Sequence, residues 1–477
     1  MLEKRQFYID GAWVDPIQGT DCEVIDPSTE ETVAVISLGG QADTNAAVAA
    51  AKAAFPNWSE RPVAERIDYM RRILDAYATR QQDMAQAISA EMGAPIDFSL
   101  AEQVDAGDWH IRGFLEAAEN FDWESGLNGQ AGARILKGPI GVVGMITPWN
   151  WPMNQVALKT APALIAGCTM VLKPSEIAPL SSLLFAEIVD AAGVPAGVFN
   201  LVNGDGAGVG TQLSVHPDVD MVSFTGSTRA GIAISKNAAD TLKRVSLELG
   251  GKGANIVFAD ADSDAVQRGA RHCFENTGQS CNAPTRMLVE RPRYDQAVEE
   301  AAEIARDTKV ATAHDRGGHI GPLVSALQFE KVQNLIQAGI DEGARLVEGG
   351  VGRPDGLNRG YFARPTVFAD VNNDMTIMRE EIFGPVLSIM PFDTDDEALE
   401  IANDTVYGLT NYVQSNNADR LENFARHLRS GMVQMNGKGR GQGAPFGGVR
   451  QSGNGREGGV WGIEEFLEVK SVGGWPE

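Results

Sequence analysis

Between residues 140 and 249 the chain repeats one pattern: a short run rich in β-branched residues, then a segment long enough for a helix. The runs fall at 140–147, 169–173, 198–202, 221–225 and 243–249. Strands separated by helical crossovers pair in parallel, so this stretch predicts βαβ units in one open sheet. A second series begins near 251, with strands expected at 254–258, 286–290 and 385–392. Its helices are expected at 262–275, 293–306, 325–342, 394–403 and 417–428. Ahead of both lie strands at 7–14, 22–26 and 32–37 and helices at 43–55 and 63–92. In the second helix Ile67, Met70, Leu74 and Tyr77 keep the spacing of one buried stripe, and Gly93 ends it. Residues 120–137 are polar and Gly-rich before a short apolar run, which suits a hairpin arm; 464–472 reads as a strand that pairs elsewhere.

Charge and composition then remove several functions. Forty Lys and Arg stand against 64 Asp and Glu, a net charge of −24, so the surface repels phosphate backbones and anionic lipid, and no nucleic acid or membrane partner is expected. The longest apolar stretch, roughly 160–172, is shorter than a bilayer span and contains Pro162 and Gly167. Charge at Glu3, Lys4 and Arg5 occupies the place of a signal peptide's apolar core, so a cytoplasmic protein is expected. Cysteines at 22, 168, 273 and 281 form no Cys-x-x-Cys pair and the six histidines no His-x-x-x-His pair, so no metal site is expected.

The 53 glycines gather at strand-to-helix turns, where α/β sheets bind ligands. Gly204-Asp-Gly206-Ala-Gly208-Val-Gly210 follows a strand but misses the Gly-x-Gly-x-x-Gly spacing, leaving a plain turn as open as a phosphate loop. Phe224-Thr-Gly-Ser-Thr228 runs into a helix whose N-terminal N–H groups suit a pyrophosphate, although an ordinary Ser N-cap has the same appearance. Lys173-Pro-Ser-Glu176 sets a cation and a carboxylate at a strand end, suited to ribose hydroxyls or to an incidental ion pair. Glu248 precedes two glycines at the end of an apolar strand, either desolvated there, with its pKa raised toward the range of a general base, or simply solvated as strand-end carboxylates usually are. Cys281 lies in a Gly-containing turn, as either an accessible nucleophile or a small core residue.

Taken together these segments resemble the aldehyde dehydrogenase superfamily over about residues 8–472. The resemblance is carried by Thr147-Pro-Trp-Asn-Trp-Pro152, Lys173-Pro-Ser-Glu176, Phe224-Thr-Gly-Ser-Thr228, Leu247-Glu-Leu-Gly-Gly-Lys252, Gly278-Gln-Ser-Cys281, Glu381-Ile-Phe-Gly-Pro385, Pro445-Phe-Gly-Gly448 and Ser452-Gly-Asn-Gly-Arg-Glu457. It implies an α/β fold with a Rossmann-like NAD(P)-binding domain (1–119 and 139–250) and a catalytic α/β domain (251–445). A small β oligomerisation element (120–138 and 463–477) would mediate a homodimer or homotetramer.

The resemblance also implies roles. Cys281 is the nucleophile, Asn150 the oxyanion donor, Glu248 the water-activating base, and Lys159 with Glu457 a proton relay. Thr147, Pro148, Trp149, Lys173, Ser175, Glu176, Gly206, Gly210, Phe224, Thr225, Gly226, Ser227, Leu249, Gly250, Glu381 and Phe383 are expected to contact the cofactor. Glu176 favours NAD over NADP, since a 2′-phosphate would face its carboxylate, and Lys173 partly offsets this. Trp151, Met153, Ser280, Asn282, Lys438 and Arg440 are expected around the aldehyde; the loop bearing the last two supplies cations where many relatives place apolar walls, which suits a polar or anionic tail. The alternatives are a CoA-acylating dehydrogenase or a catalytically silent family member.

Overall fold

The computed structural model describes every residue except Gln18, Asn128, Ala131 and Glu477. The five expected runs form five parallel strands, Val142–Ile146, Thr169–Lys173, Phe199–Leu201, Met221–Thr225 and Arg244–Glu248. Starting at Val142–Ile146, the chain adds strands outward on one side and then crosses back to place Met221–Thr225 and Arg244–Glu248 on the other. The N-terminal hairpin Phe7–Ile9 and Ala12–Val14 joins antiparallel at the far edge. The order therefore reverses between Val142–Ile146 and Met221–Thr225, and the crevice beyond their carboxyl ends is where such sheets take ligands.

The second sheet runs Arg345–Glu348, Thr366–Ala369, Val386–Phe392, Arg286–Glu290, Ala254–Val257, Thr410–Gln414 and Met432–Met435, with only the first pair antiparallel among the described strands. Four of these strands were not expected from sequence, and Thr410–Gln414 shows why. Its Thr-Asn-Tyr-Val-Gln composition reads as a loop, yet every residue is buried. Its two amide side chains find partners inside the sheet: Asn411 Oδ1 accepts from the Ala254 N–H at 2.9 Å, and Gln414 Nε2 donates to Asn255 Oδ1 at 2.9 Å.

The strand expected at 464–472 forms as Leu467–Gly473 and pairs along its full length with Ala133–Pro139, which also pairs with Glu124–Gly126. Within the arm expected over 120–137, Asn128 and Ala131 lie outside the described residues. The helix expected over 63–92 is two helices, Val63–Ala78 and Gln81–Met92. Arg80 leaves the helical region at φ −116, ψ 12, while the apolar spacing continues because both helices bury one face in the same core, Tyr77 from the first and Met84 from the second. The apolar stretch at 160–172 is the end of the central helix Pro152–Ala166, buried almost all round, followed by a buried strand. No helix among the described residues is long and apolar enough to cross a membrane.

Arg286 fastens the second sheet. Its fully buried guanidinium donates to the Lys252, Ile401 and Ala402 carbonyls at 2.9, 3.1 and 2.9 Å. Arg286→Met keeps most of the volume and strands three buried acceptors, each worth about 1–3 kcal/mol. Thermal unfolding should show a clearly lower Tm; an unchanged Tm would mean that other donors replace the guanidinium.

Candidate functional site

The crevice at the strand reversal faces the Cys281 loop across a cleft of about 710 Å³. Pro148, Trp149, Asn150, Thr225, Gly226, Ser227, Leu249 and Gly250 form the wall on the first sheet's side, and Cys281, Glu381 and Phe383 face them. Ser227 is the ordinary N-cap that the sequence allowed, and it also faces the cleft. Its hydroxyl accepts from the Ala230 N–H at 3.3 Å as the N-cap of Thr228–Ala238, and it lines the cleft. Gly250 is required here, because a Cβ would collide with the Glu381 carboxylate, which accepts from the Gly251 N–H at 2.9 Å.

Sequence reasoning missed Gln155, Gln328 and Lys331, which complete the lining. Gln328 Nε2 donates to the Ile382 and Phe383 carbonyls at 3.2 and 2.7 Å and so holds Phe383 at φ +59. In that conformation the Phe383 ring meets Trp149 edge to face at 5.4 Å. Gln328 lay inside an expected helix, and nothing in its spacing marks it as a brace.

Other expected cofactor residues lie outside these walls, at the neighbouring strand ends. Lys173 is buried rather than solvated: its ammonium donates to the Pro174 and Gly204 carbonyls at 2.8 and 2.6 Å and to Glu176 at 3.3 Å, and burial lowers its pKa. Glu176 stays partly exposed. Thr147 N–H donates to the Lys173 carbonyl, and Ser175 Oγ accepts from the Ile177 N–H. The Gly206–Gly210 segment is a π-type turn capped by Asp205, with Gly210 against the Lys173 side chain. Phe224 is packed beneath Gly226.

Cys281 and Asn150 line the cleft, and the Glu248 charge acts on the thiol from outside its walls. Cys281 is partly exposed at the cleft wall, yet burial pushes its thiol pKa up, and Glu381, Glu248 and Glu457 push it further. Asn150 is buried with Nδ2 donating to the Gln279 carbonyl at 2.9 Å, which leaves its second N–H for a ligand. Glu248 is buried with neither carboxylate oxygen hydrogen-bonded, and its pKa is raised well above the ordinary value, by burial first and by Glu457 next. Behind it Lys159 and Glu457 form a buried pair at 2.7 Å, with Glu457 Oε2 unpartnered.

The expected substrate residues divide. Trp151 Nε1 donates to Ser280 Oγ at 2.8 Å, and its ring meets Phe98 edge to face at 5.7 Å. The Asn282 carbonyl accepts from the Tyr412 hydroxyl at 2.6 Å. Met153 does not line the site: it is fully buried in the first core, because the helix starting at Pro152 turns that side chain inward. Lys438 is exposed to solvent, whereas Arg440 is half-buried over the Phe446 ring at 4.8 Å. Burial lowers its pKa, and its charge faces Tyr412 and Cys281.

The cleft fits a dinucleotide. Thr225 Oγ1 and Gln155 Oε1 are buried without partners, as is Glu248, and glycines allow close backbone approach. The sequence profile of the aldehyde dehydrogenase family matches residues 13–472, and the chain belongs to that family. It is an NAD(P)-dependent aldehyde dehydrogenase. The chain is 52% identical over 477 residues, 100% of this chain and 99% of the other, to 3-succinoylsemialdehyde-pyridine dehydrogenase from a Pseudomonas species. An aldehyde dehydrogenase structure from Bartonella henselae is 60% identical with a TM-score of 0.99, covering 100% of both chains. A variant of aldehyde dehydrogenase C from Pseudomonas syringae, in complex with NAD+ and octanal, is 47% identical with a TM-score of 0.97, covering 99% of this chain and 97% of that one.

The buried carboxyl of Glu248 makes a stability prediction. A raised folded-state pKa means that the unfolded chain ionises first, so wild-type stability is lost as pH rises from the ordinary carboxyl value, about 4.3, toward the raised one. Glu248→Gln avoids that loss. The variant's Tm should exceed that of wild type by a margin that widens from pH 5 to pH 8, and a margin constant with pH would show that Glu248 ionises normally.

Proposed function

We propose that this chain oxidises an aldehyde to the carboxylic acid with NAD, through a covalent acyl intermediate on Cys281 that water hydrolyses. The observation that carries the reading is the presence in one cleft of the Cys281 thiol and the Asn150 amide, with the buried, unpartnered Glu248 carboxylate near enough to raise the thiol pKa. An aldehyde releases hydride only from a tetrahedral carbon, which requires a nucleophile and a donor for the developing oxyanion. Cys281 Sγ adds to the carbonyl carbon after its proton leaves, and the oxygen is held by the Asn150 side-chain N–H and the Cys281 backbone N–H. A nicotinamide dinucleotide held by Trp149, Phe383 and Glu381 would supply the acceptor for the hydride lost from the thiohemiacetal carbon, leaving the thioester on Cys281. Glu248, with its raised pKa, accepts a proton from the water that attacks this thioester. The acid and the free thiol follow, and the Lys159–Glu457 pair carries the proton onward.

Trp149, Phe383, Glu381, Thr225, Gly226, Ser227, Leu249 and Gly250 would hold the cofactor, with Glu381 on the ribose of the nicotinamide half. Lys173 and Glu176, with Thr147, Ser175, Gly206, Gly210 and Phe224 around them, would form the adenosine end. Lys173 is already committed to two carbonyls, so Glu176 dominates there. At 4 Å and an effective dielectric near 20, a 2′-phosphate would cost about 4 kcal/mol before solvent screening, which favours NAD and leaves NADP as a poorer cofactor. The NAD+ complex of the Pseudomonas syringae enzyme supports that choice. Glu248 favours water over CoA as acyl acceptor, since a thiol needs no water-activating base. Residues 1–119 with 139–250 form the cofactor domain and 251–445 the catalytic domain in this reading. The element of 120–138 with 463–477 serves homodimer or homotetramer assembly in the cytoplasm.

At the substrate end Trp151, Ser280 and Asn282 surround the aldehyde, and Arg440 rather than Lys438 meets its far end. In a chain with 64 acidic residues, Arg440 has among the described residues only a 3.5 Å hydrogen bond, to the Ala444 carbonyl. A half-buried guanidinium so poorly satisfied suits a carboxylated or strongly hydrogen-bond-accepting tail. The succinoylsemialdehyde-pyridine named for the Pseudomonas relative supports a polar tail.

Two experiments test these assignments. In stopped-flow NADH formation, Cys281→Ala should give no burst, while Glu248→Gln should give a normal burst and no steady-state slope; loss of the burst in Glu248→Gln would move that carboxylate to the first chemical step. Arg440→Ala should lower kcat/KM about tenfold or more for a carboxylated aldehyde and leave a neutral aldehyde of equal length within about twofold. Equal losses on both would remove Arg440 from substrate recognition.

A further inference from the structure

Gln103 and Asn276 lie outside the cleft walls and take no part in the chemistry proposed above, yet both are buried directly behind it. Gln103 sits in the π-helical segment Ser99–Val104, a rare conformation that re-aims side chains within a helix. Its Nε2 donates to the Asn150 backbone carbonyl at 3.0 Å and to Asn276 Oδ1 at 3.3 Å. Asn276 Nδ2 donates to the same Asn150 carbonyl at 3.0 Å and to the Gln279 carbonyl at 3.3 Å. The Gln279 carbonyl also receives the Asn150 side-chain amide at 2.9 Å and lies two residues before Cys281. Three chain segments distant in sequence are thus tied through two carbonyls. One belongs to the residue bearing the free amide, and the other to the turn bearing the thiol.

The backbone is shaped to make this contact. Asn276 and Thr277 adopt φ +51 and +58, followed by Gly278 at +70. Asn tolerates the left-handed region, whereas a β-branched Thr there is uncommon and needs surrounding structure to hold it. The Thr277 hydroxyl donates to the Gly321 carbonyl at 3.0 Å, which fastens the turn from the other side.

We propose that Gln103 and Asn276 are positioning residues that fix the distance and orientation of the Asn150 side-chain N–H relative to Cys281. The inference rests on the reading of Asn150 as the oxyanion donor. Asn150 keeps one N–H for the oxyanion only while the other is directed at the Gln279 carbonyl. Asn276 holds that carbonyl, and Asn276 and Gln103 together hold the Asn150 backbone. Misplacing a transition-state donor by about 1 Å lowers rates by about 100-fold, without loss of ground-state binding.

The test is a double-mutant cycle read by the single-turnover rate of NADH formation. Gln103→Leu keeps the shape and removes the donors; Asn276→Gly removes the side chain and accepts the positive φ. Each should slow hydride transfer about 10- to 100-fold, with KM for NAD within twofold, and Asn150→Ala should slow it about 100-fold or more. In the Asn150→Ala background, adding Gln103→Leu or Asn276→Gly should change the rate less than about twofold, because the donor they position is already gone. If the losses instead multiply, the two residues act on general structure or on the thiol, and the proposal is overturned. If Asn150→Ala alone keeps the wild-type rate, the oxyanion assignment beneath it fails, and the inference with it. Should Asn276→Gly not fold, Gln103→Leu alone completes the cycle.

Discussion

A carboxyl group buried without a hydrogen-bond donor resists ionisation, and much of this molecule is arranged to keep Glu248 in that state. The end of the strand Arg244–Glu248 delivers it, and the glycine-rich segment near 447–455 closes over it. A side chain at Gly447 would press on its Oε1, and one at Gly455 would collide with the Ser246 hydroxyl on the same strand. The Lys159–Glu457 pair sits behind it, joining the central helix to the C-terminal loop. Were Glu248 given a donor, it would ionise as an ordinary carboxylate and become a weaker base. Its poor solvation is therefore a joint product of the first sheet and the C-terminal loop.

The second dependency is between the two sheets. The wall formed at the strand reversal of the first sheet is useless without the Cys281 turn, which precedes Arg286–Glu290 of the second. Gln328 holds the Ile382 and Phe383 carbonyls on the facing wall, and buried Arg286 ties Lys252 to the helix Asp395–Asn403 behind it. A surface of that kind keeps its shape when the cleft is empty, in accord with ligand sites that are largely preformed.

The sequence made the parallel sheet plain because its strands are apolar runs bounded by turn residues, and it marked Cys281, Glu248 and Asn150 through the motifs around them. It hid Thr410–Gln414, whose Asn411 and Gln414 amides find partners on a strand distant in sequence. It also hid the break at Thr79–Arg80, because a hydrophobic stripe does not record where one helix stops when the next continues into the same core. Met153 was misplaced for a related reason: its nearness in sequence to Trp151 says nothing of the direction in which a new helix aims its first turn. Gln103, Gln328 and Tyr412 act through contacts 47 or more residues away, and no local pattern announces them.

The pairing of Ala133–Pro139 with Leu467–Gly473 has a consequence for biosynthesis. The nucleotide-binding strands and the thiol are made long before Glu457 and the glycine turn over Glu248. A nascent chain on the ribosome can therefore fold its first sheet while its reactive centre stays unfinished. Enclosure of the Glu248 carboxyl, which the Gly447–Gly455 segment and Glu457 complete, is therefore among the last steps of assembly.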